Sequence, residues 1–278
     1  LIGTIGILLL VNIFINNKLK SDHKTKLIIL IVAFLPSLSF WTSAIGKDTI
    51  YFFGTSLLLW SIFNLKKNIY IKYFSLFLLF LIRPHYGFIG LVSFLFFDLI
   101  VSKSNIKILY FKIITIFLII LISPFLFDYI LNFVGYYKVT DYKSFNLDGF
   151  LSFLEVRSRY ELSDSFYDTS SMPFILKLIS LLFRPFIFEA NNYFQFIVAL
   201  ENLVIMTLIF YLIYFKLKRF KFTSPTRLAL YTYTFLSLFF LSISVANYGI
   251  ASRQKWMILP VLIVLLLTKY KKYEKSKT

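Results

Sequence analysis

The chain has no cysteine, only two histidines and few charged residues. Without cysteine, disulfides, thiol catalysis and cysteine-based metal sites are excluded. His23 and His85 are far apart in sequence, so a histidine-rich metal site is not expected. Charged residues make up 15% of the chain, whereas soluble domains have about 25%. Because 59% of the 278 residues are hydrophobic, polar groups cannot cover a globular surface. A soluble enzyme, a disordered chain and a nucleic-acid module are therefore excluded.

Long apolar runs are what the sequence has instead, and they predict an all-α, polytopic bundle of transmembrane helices. A span needs roughly 20 apolar residues, and these runs are continuous rather than alternating, which favours helices over strands. The first run starts at Leu1 without a basic segment before it, so we expect the true N-terminus to be missing. About nine spans are predicted, at 1–16, 27–46, 49–65, 72–83, 86–102, 113–131, 193–215, 228–246 and 255–269.

The distribution of charge predicts the orientation of these spans. Twenty of the 30 Lys and Arg residues lie in every second connection, at 17–26, 65–72, 103–112, 216–227 and 269–278. The positive-inside bias predicts that these segments and the C-terminus are cytoplasmic. The membrane surface, rather than nucleic acid, then explains the net charge of +17. Nine of the 13 acidic residues lie on the opposite side, so any chemistry is expected on the extracytoplasmic face.

Three regions follow from this topology. Residues 1–131 form the N-terminal transmembrane helices, 132–192 a large extracytoplasmic loop, and 193–278 the C-terminal helices with a basic cytoplasmic tail. Within the loop, Asp148 is expected to cap an amphipathic helix. The apolar segment 172–189 is interrupted by charges and is expected to lie along the membrane interface.

Four polar clusters at the predicted outward ends of the spans need an explanation. Three of them contain an arginine in a short turn, and arginine is suited to binding phosphate or carboxylate in a bidentate manner. Each arginine alone is equally consistent with a lipid-headgroup contact, but together they predict an outward anion pocket. The candidate residues are Lys47 and Asp48; Arg83 and His85; Arg184, Glu189, Asn191 and Asn192; and Arg253 and Lys255.

Ionisable residues inside the predicted spans are few. Glu201 is the best candidate for an ion- or proton-coupled site, because buried acids near the midplane are typical of transporters. The three tryptophans lie near span ends, as an aromatic belt predicts, and are interpreted as interface anchors.

The segment from Leu35-Pro36-Ser37 through Phe40-Trp41-Thr42-Ser43 to Gly46-Lys47-Asp48 resembles integral-membrane glycosyltransferases of the GT-C class. The segment Arg253-Gln254-Lys255-Trp256, followed by a span containing Pro260, is similar to the arginine-rich turn of that class. The general plan also resembles Wzy-type O-antigen and capsule polymerases. Members of the GT-C class typically have a catalytic acid in the first large outer loop, and we expect that region to lie in the missing N-terminal part.

This resemblance implies transfer of a sugar from a polyprenyl-phosphate donor to a glycan or lipid-linked acceptor, in the bacterial cytoplasmic membrane. Substrate would be bound by the polar residues His85, Asn191 and Asn192 and by the basic candidates Lys47, Arg83, Arg184, Arg253 and Lys255. Asp48, or next Glu189 or an acidic residue of 141–168, would be the carboxylate that takes the acceptor proton as the catalytic base. The cofactor is open: a divalent cation, Mg²⁺ or Mn²⁺, held by Asp48 is one option. A lipid-linked-sugar transporter or flippase and a non-catalytic assembly subunit are the alternatives.

Overall fold

The computed structural model describes sixteen stretches of the chain: residues 1–15, 23–44, 46–64, 69–101, 110, 114, 121, 124–133, 135–140, 144–146, 148–150, 152–153, 167, 172–217, 225–245 and 247–267. All regular structure in these residues is helical, as predicted. The α-helices are α1 (Ile2–Ile15), α2 (His23–Ala33), α3 (Pro36–Ser43), α4 (Lys47–Asn64), α5 (Ile69–Ile82), α6 (Pro84–Val101), α7 (Tyr136–Thr140), α8 (Phe174–Phe183), α9 (Tyr193–Leu217), α10 (Pro225–Ser244), α11 (Tyr248–Gln254) and α12 (Leu259–Leu267). Two 3-10 turns are Ile187–Glu189 and Lys255–Met257.

These helices form one packed bundle. Helix α4 lies between α1 and α5, α6 packs against α5 and α10, and α8 packs against α9, α10 and α11. The largest hydrophobic cluster contains residues from all of these helices, such as Phe52, Leu76 and Tyr233. Helix α12 is apolar on every side and nearly all of its residues are buried, because it lies inside the bundle.

Fewer helices qualify as membrane spans than the nine predicted. In the described part, residues Tyr193–Tyr214 and Arg227–Ser244 are long and apolar enough to cross a membrane. The number rises to four if each of two bent helix pairs counts as one span. Helices α1, α5 and α8 are shorter than the usual span length. Helix α4 has 18 residues, but Lys47, Asp48 and several hydroxyl side chains lower its hydropathy. Nine of the 19 residues of the predicted span 113–131 lie outside the described residues.

Two of the predicted spans are broken helices. Residues Thr25–Ala33 and Pro36–Ser43 meet at a bend of 49°. Leu35 is extended (φ −63°, ψ 131°), because the residue before a proline is disfavoured in helical conformation. The predicted span 255–269 also differs from the structure: helical structure begins at Tyr248, and Tyr248–Met257 meets Leu259–Leu267 at 48°. Pro260 lacks the amide hydrogen that would continue the preceding helix.

A close contact between α5 and α6 determines the position of the Arg83 turn. A Cβ atom on Gly87 would lie 2.1 Å from the Cα of Phe80, so only glycine permits this approach. Pro84 is the first residue of α6, where its missing amide hydrogen costs nothing. Arg83 is therefore held at a tight reversal between two packed helices.

The loop region is described only in parts. Phe153 and Tyr136 pack with Leu131 in a small separate hydrophobic cluster. Asp148 does not cap the short helix near it: the Asp148 N–H donates to Oδ1 of Asn146, 3.0 Å away, so Asn146 caps it. The segment 172–189 is less peripheral than expected, because the end of α8 is buried in the bundle core at Leu181, Leu182 and Phe183.

Candidate functional site

The carboxylate of Asp48 lies between two arginines. Asp48 is in the first turn of α4, where a negative charge is favoured by the helix dipole. Its Oδ1 accepts a hydrogen bond from a terminal nitrogen of Arg83 at 2.6 Å, and its Oδ2 lies 3.1 Å from Nε of Arg253. These three side chains, the Asp48 cluster, come from α4, the α5–α6 turn and α11. The fold thus joins three of the four polar clusters found in the sequence.

The Asp48 cluster has more positive than negative charge and is partly accessible. Two guanidinium groups face one carboxylate, which leaves a net charge of +1. The side chains of Asp48, Arg83 and Arg253 are 18%, 14% and 35% exposed. Nε of Arg83 is buried and has no hydrogen-bond partner among the described residues. Arg253 also lies over the ring of Trp41, 5.8 Å from its centroid. The cluster can therefore accept a further anion.

Arg184 and Glu189 form a second arginine–carboxylate site with a different arrangement. Nε of Arg184 donates to Oε2 of Glu189 at 2.9 Å, and a terminal nitrogen of Arg184 donates to Oε1. The Phe186 N–H donates to the same carboxylate at 2.9 Å. This is a bidentate pair of one cation and one anion, within the turn between α8 and α9. Both side chains are about equally shielded, at 17% and 16% exposed.

Two tyrosine rings pack beside Arg184. Its guanidinium lies 4.9 Å from the ring centroid of Tyr167 and 5.6 Å from that of Tyr248, and the two rings stack on each other. The hydrogen bond to Glu189 raises the pKa of Arg184, although burial acts in the opposite direction. Burial raises the pKa of Tyr167 well above its ordinary value, and the nearby charge of Arg184 opposes this rise. Arg184 is therefore a charge already neutralised by its surroundings.

The predicted single anion pocket is thus divided in the structure. Arg83 and Arg253 meet at Asp48, whereas Arg184 is paired with Glu189. Lys47 is exposed and lies 5.6 Å from the ring centroid of Phe133. Lys255 is not outward at all, since only 1% of it is exposed.

The three polar candidates have more modest positions. His85 is the second residue of α6, and its ring lies 4.2 Å from that of Tyr86. Asn192 caps α9, because its Oδ1 accepts a hydrogen bond from the Gln195 N–H at 2.8 Å. Asn191 is exposed, and its backbone N–H donates to Oε1 of Gln195. These contacts explain helix starts and leave a role in substrate binding as a prediction.

A buried polar network connects α3, α9 and the 3-10 turn Lys255–Met257. Glu201 accepts hydrogen bonds from the Ser37 N–H at 2.7 Å and from the Ser37 hydroxyl. Nε1 of Trp256 donates to the Ser37 oxygen at 2.6 Å. Lys255 donates to Oδ1 of Asn202. Because Glu201 and Asn202 are neighbours on α9, and Lys255 and Trp256 are neighbours in the 3-10 turn, these five residues form a closed ring, called here the Glu201 ring.

The Glu201 ring could not be read from the sequence. Glu201 was singled out as an intramembrane acid, but Ser37 and Asn202 have no distinguishing pattern around them. Trp256 is only 2% exposed, which differs from the expected interface anchor. The bend before Pro36 does indicate that a partner is needed. A broken helix leaves amide groups without an acceptor, and the N-cap residue of α3, Leu35, supplies none.

A divalent-cation site at Asp48 stays a prediction. Among the described residues, no three side chains of His, Asp or Glu converge as metal ligands. Both oxygens of Asp48 already face guanidinium groups, which would compete with a cation for the carboxylate.

Comparisons with known proteins add no constraint. No family model, no curated protein and no solved structure matches the chain. The geometry described above is therefore the basis for any statement about function.

Proposed function

We propose that the protein is an integral-membrane glycosyltransferase that transfers a sugar from a polyprenyl-phosphate donor to a glycan or lipid-linked acceptor. The observation that supports this is the Asp48 cluster: a carboxylate between two partly exposed arginines at one end of a helical bundle. A site of this kind provides cations for the phosphate and a carboxylate base for the hydroxyl, which are the two groups that the reaction needs. Lys47, next to Asp48, adds a further exposed cation.

In the proposed reaction, the acceptor hydroxyl attacks the anomeric carbon of the donor sugar. The new bond joins the acceptor oxygen to that carbon, and the bond between the carbon and the donor phosphate breaks. Arg83 and Arg253 stabilise the negative charge that develops on the departing polyprenyl phosphate. Asp48 takes the proton of the hydroxyl once the phosphate has drawn one guanidinium away from it.

Asp48 is a better candidate than Glu189 for the proton acceptor. Glu189 accepts two hydrogen bonds from Arg184 and one from a backbone amide. Releasing that carboxylate would leave Arg184 without its partner, whereas Asp48 shares its charge with two cations that an incoming phosphate can also bind. Glu189 is thereby favoured as a structural group that holds the α8–α9 turn.

We place the site on the extracytoplasmic face of a bacterial cytoplasmic membrane, with the basic C-terminus inside. The support is the alternation of basic segments along the sequence together with the position of Asp48, Arg83 and Arg253 at one end of the bundle. The predicted nine spans belong to this proposal, since the described helices that qualify number two to four. A Wzy-type polymerase would use the same groups on a donor with a longer glycan.

A transporter of lipid-linked sugars is the second candidate, and the broken helices favour it. The bend between α2 and α3 and the bend before α12 meet at adjacent residues of α9, where Glu201 and Asn202 bind them. Discontinuous helices around a buried charge are typical of substrate and ion sites in transporters. This function would depend on Glu201 and on an ion gradient, and would survive the loss of Asp48.

The test compares the surface glycans and lipid-linked oligosaccharides of cells that express the full-length protein, no protein, Asp48→Asn or Asp128→Asn. Asp128 is an exposed acid hydrogen-bonded to Tyr137, so it is a matched control. We expect Asp48→Asn to reproduce the deletion and Asp128→Asn to behave as wild type. Loss of one sugar would indicate a transferase, and single repeat units in place of long chains would indicate a polymerase. A normal profile with Asp48→Asn would contradict the proposal.

A further inference from the structure

We propose that the Glu201 ring is a positioning element that sets the geometry of the arginine turns, and that Asn202 and Lys255 are its central residues. This inference rests on the proposed function, because it assigns the ring a role in donor binding. It also assigns Glu201 and Lys255 a role in the proposed glycosyltransferase and not in ion transport.

On the carboxylate side of the ring, Ser37 connects Glu201 to Trp256. Both oxygens of Glu201 accept hydrogen bonds from Ser37, whose hydroxyl oxygen in turn accepts one from Trp256. Ser37 is the second residue of α3, so Glu201 supplies from α9 the cap that the local sequence of α3 lacks. A negative charge at this position also complements the helix dipole. Glu201 therefore holds the start of α3 in place, and we assign its carboxylate to this contact and not to the binding of an ion.

The cationic side of the ring is connected to the two turns that contain Arg184 and Arg253. Lys255 donates to Asn202, and Nδ2 of Asn202 donates to the carbonyl oxygen of Pro185 at 3.3 Å. Arg184 immediately precedes Pro185, and Arg253 lies two residues before Lys255. The Lys255 backbone N–H donates to the carbonyl of Ala251, so helical structure continues from α11 into the 3-10 turn. A displacement of Lys255 or Pro185 must therefore move the adjacent arginine.

Burial makes these contacts selective. Glu201, Asn202 and Lys255 are 4%, 1% and 1% exposed. In such surroundings an unpaired charge or amide is costly, so the groups adopt the one arrangement that satisfies them. Buried ionic groups have been found to specify geometry in some proteins, and that is the role assigned here.

The test measures donor binding by purified full-length protein in detergent. The probe is farnesyl phosphate, farnesol is the uncharged reference, and ligand-dependent thermal stabilisation gives the half-saturating concentration. Asn202→Leu and Lys255→Met should each raise that concentration about tenfold, which corresponds to about 1.4 kcal/mol. The double variant should be no worse than either single one, because both break the same chain of contacts.

Two further variants separate positioning from loss of folding. Asn202→Asp retains an acceptor for Lys255 but loses the donor to Pro185, so it should raise the half-saturating concentration less than Asn202→Leu does. Thr207→Ala alters an exposed residue of the same helix whose hydroxyl contacts only carbonyls of that helix, and it should bind as wild type. Wild-type affinity in Asn202→Leu and Lys255→Met would overturn the inference.

A measurement without ligand keeps the inference independent of the proposed function. In a background with Trp41→Phe and Trp60→Phe, the remaining Trp256 reports on the ring. Lys255→Met and Glu201→Gln should shift its emission to longer wavelength, and unchanged emission in both would overturn the ring. If wild type does not respond to farnesyl phosphate, the proposed donor is wrong, and the emission alone decides whether the ring exists. Loss of gradient-dependent transport in Glu201→Gln, with farnesyl phosphate binding retained, would overturn the positioning role.

Discussion

The Asp48 cluster and the Arg184–Glu189 pair use the same residue types for opposite purposes. In the pair, one guanidinium is satisfied by one carboxylate in a bidentate contact, and two tyrosine rings pack beside the cation. In the cluster, two guanidinium groups share one carboxylate, and Nε of Arg83 has no partner within the described part of the chain. The ratio of cations to anions, rather than the presence of arginine, therefore distinguishes an anion-binding site from a structural ion pair.

The largest effect should come from removing the cations of the Asp48 cluster. The double variant Arg83→Gln/Arg253→Gln should lower glycan product by about 100-fold or more, since these groups stabilise the departing phosphate. Arg184→Gln should lower it by less than about tenfold, because Arg184 is already neutralised. The measurement is the rate of product formation in membranes with matched protein levels. Equal losses in both variants would remove the distinction between the two sites.

A smaller effect, on stability, should come from breaking the pair. Glu189→Gln leaves Arg184 without its charge partner in a shielded position, and should cost about 1 to 2 kcal/mol of unfolding free energy. Asp48→Asn should cost less, because Arg253 is 35% exposed and water can solvate its charge, whereas both members of the Arg184–Glu189 pair are shielded. Thermal unfolding in detergent, read by loss of monodisperse protein, compares the two. A larger loss in Asp48→Asn would mean that its carboxylate has the structural role.

The smallest effect should be a dependence of stability on alkaline pH at the Arg184–Glu189 pair. Burial raises the pKa of Tyr167 in the folded protein above its unfolded value of about 10. The stability associated with this group is therefore complete below pH of about 10 and is lost as the pH rises further. Tyr167→Phe should flatten the decrease in melting temperature above that pH, at a cost of about 1 kcal/mol for the lost hydrogen bond to Val245.

In that experiment, Tyr137→Phe is the control. Its hydroxyl donates to Asp128, which raises the pKa of Tyr137 to about 12, but this tyrosine is only partly buried and is distant in sequence from Arg184. If Tyr167→Phe leaves the decrease in melting temperature at alkaline pH unchanged, the packing of Tyr167 against Arg184 does not contribute to stability.

The positions of most helices could be predicted from apolar runs. Helices α4, α6 and α9 follow the predicted segments within a few residues. The breaks at Leu35 and Ile258 were missed, although Pro36 and Pro260 mark both, because hydropathy alone does not register a missing amide hydrogen. The count of nine spans was too high for the described residues for the same reason, and because several apolar helices are short.

The sequence predicted which residues belong to the candidate site, but not which of them contact one another. Asp48, Arg83 and Arg253 were all candidates, yet nothing in the sequence shows that they meet. Asp48 and Arg83 are 35 residues apart, and Ser37 and Trp256, which close the Glu201 ring, are 219 apart. Contacts over such separations depend on how whole helices pack, which no local pattern encodes.

Composition and the order of the charges alone predicted that the chain is helical and apolar, with basic segments between its apolar runs. Those properties follow from the bilayer, since every peptide group within it needs an internal hydrogen bond and every charge needs water or a partner. Tertiary packing alone decided which arginine received one carboxylate and which shared one. It did so because the α5–α6 reversal at Gly87 and the break before α12 bring Arg83 and Arg253 to Asp48, while Arg184 finds Glu189 within its own turn.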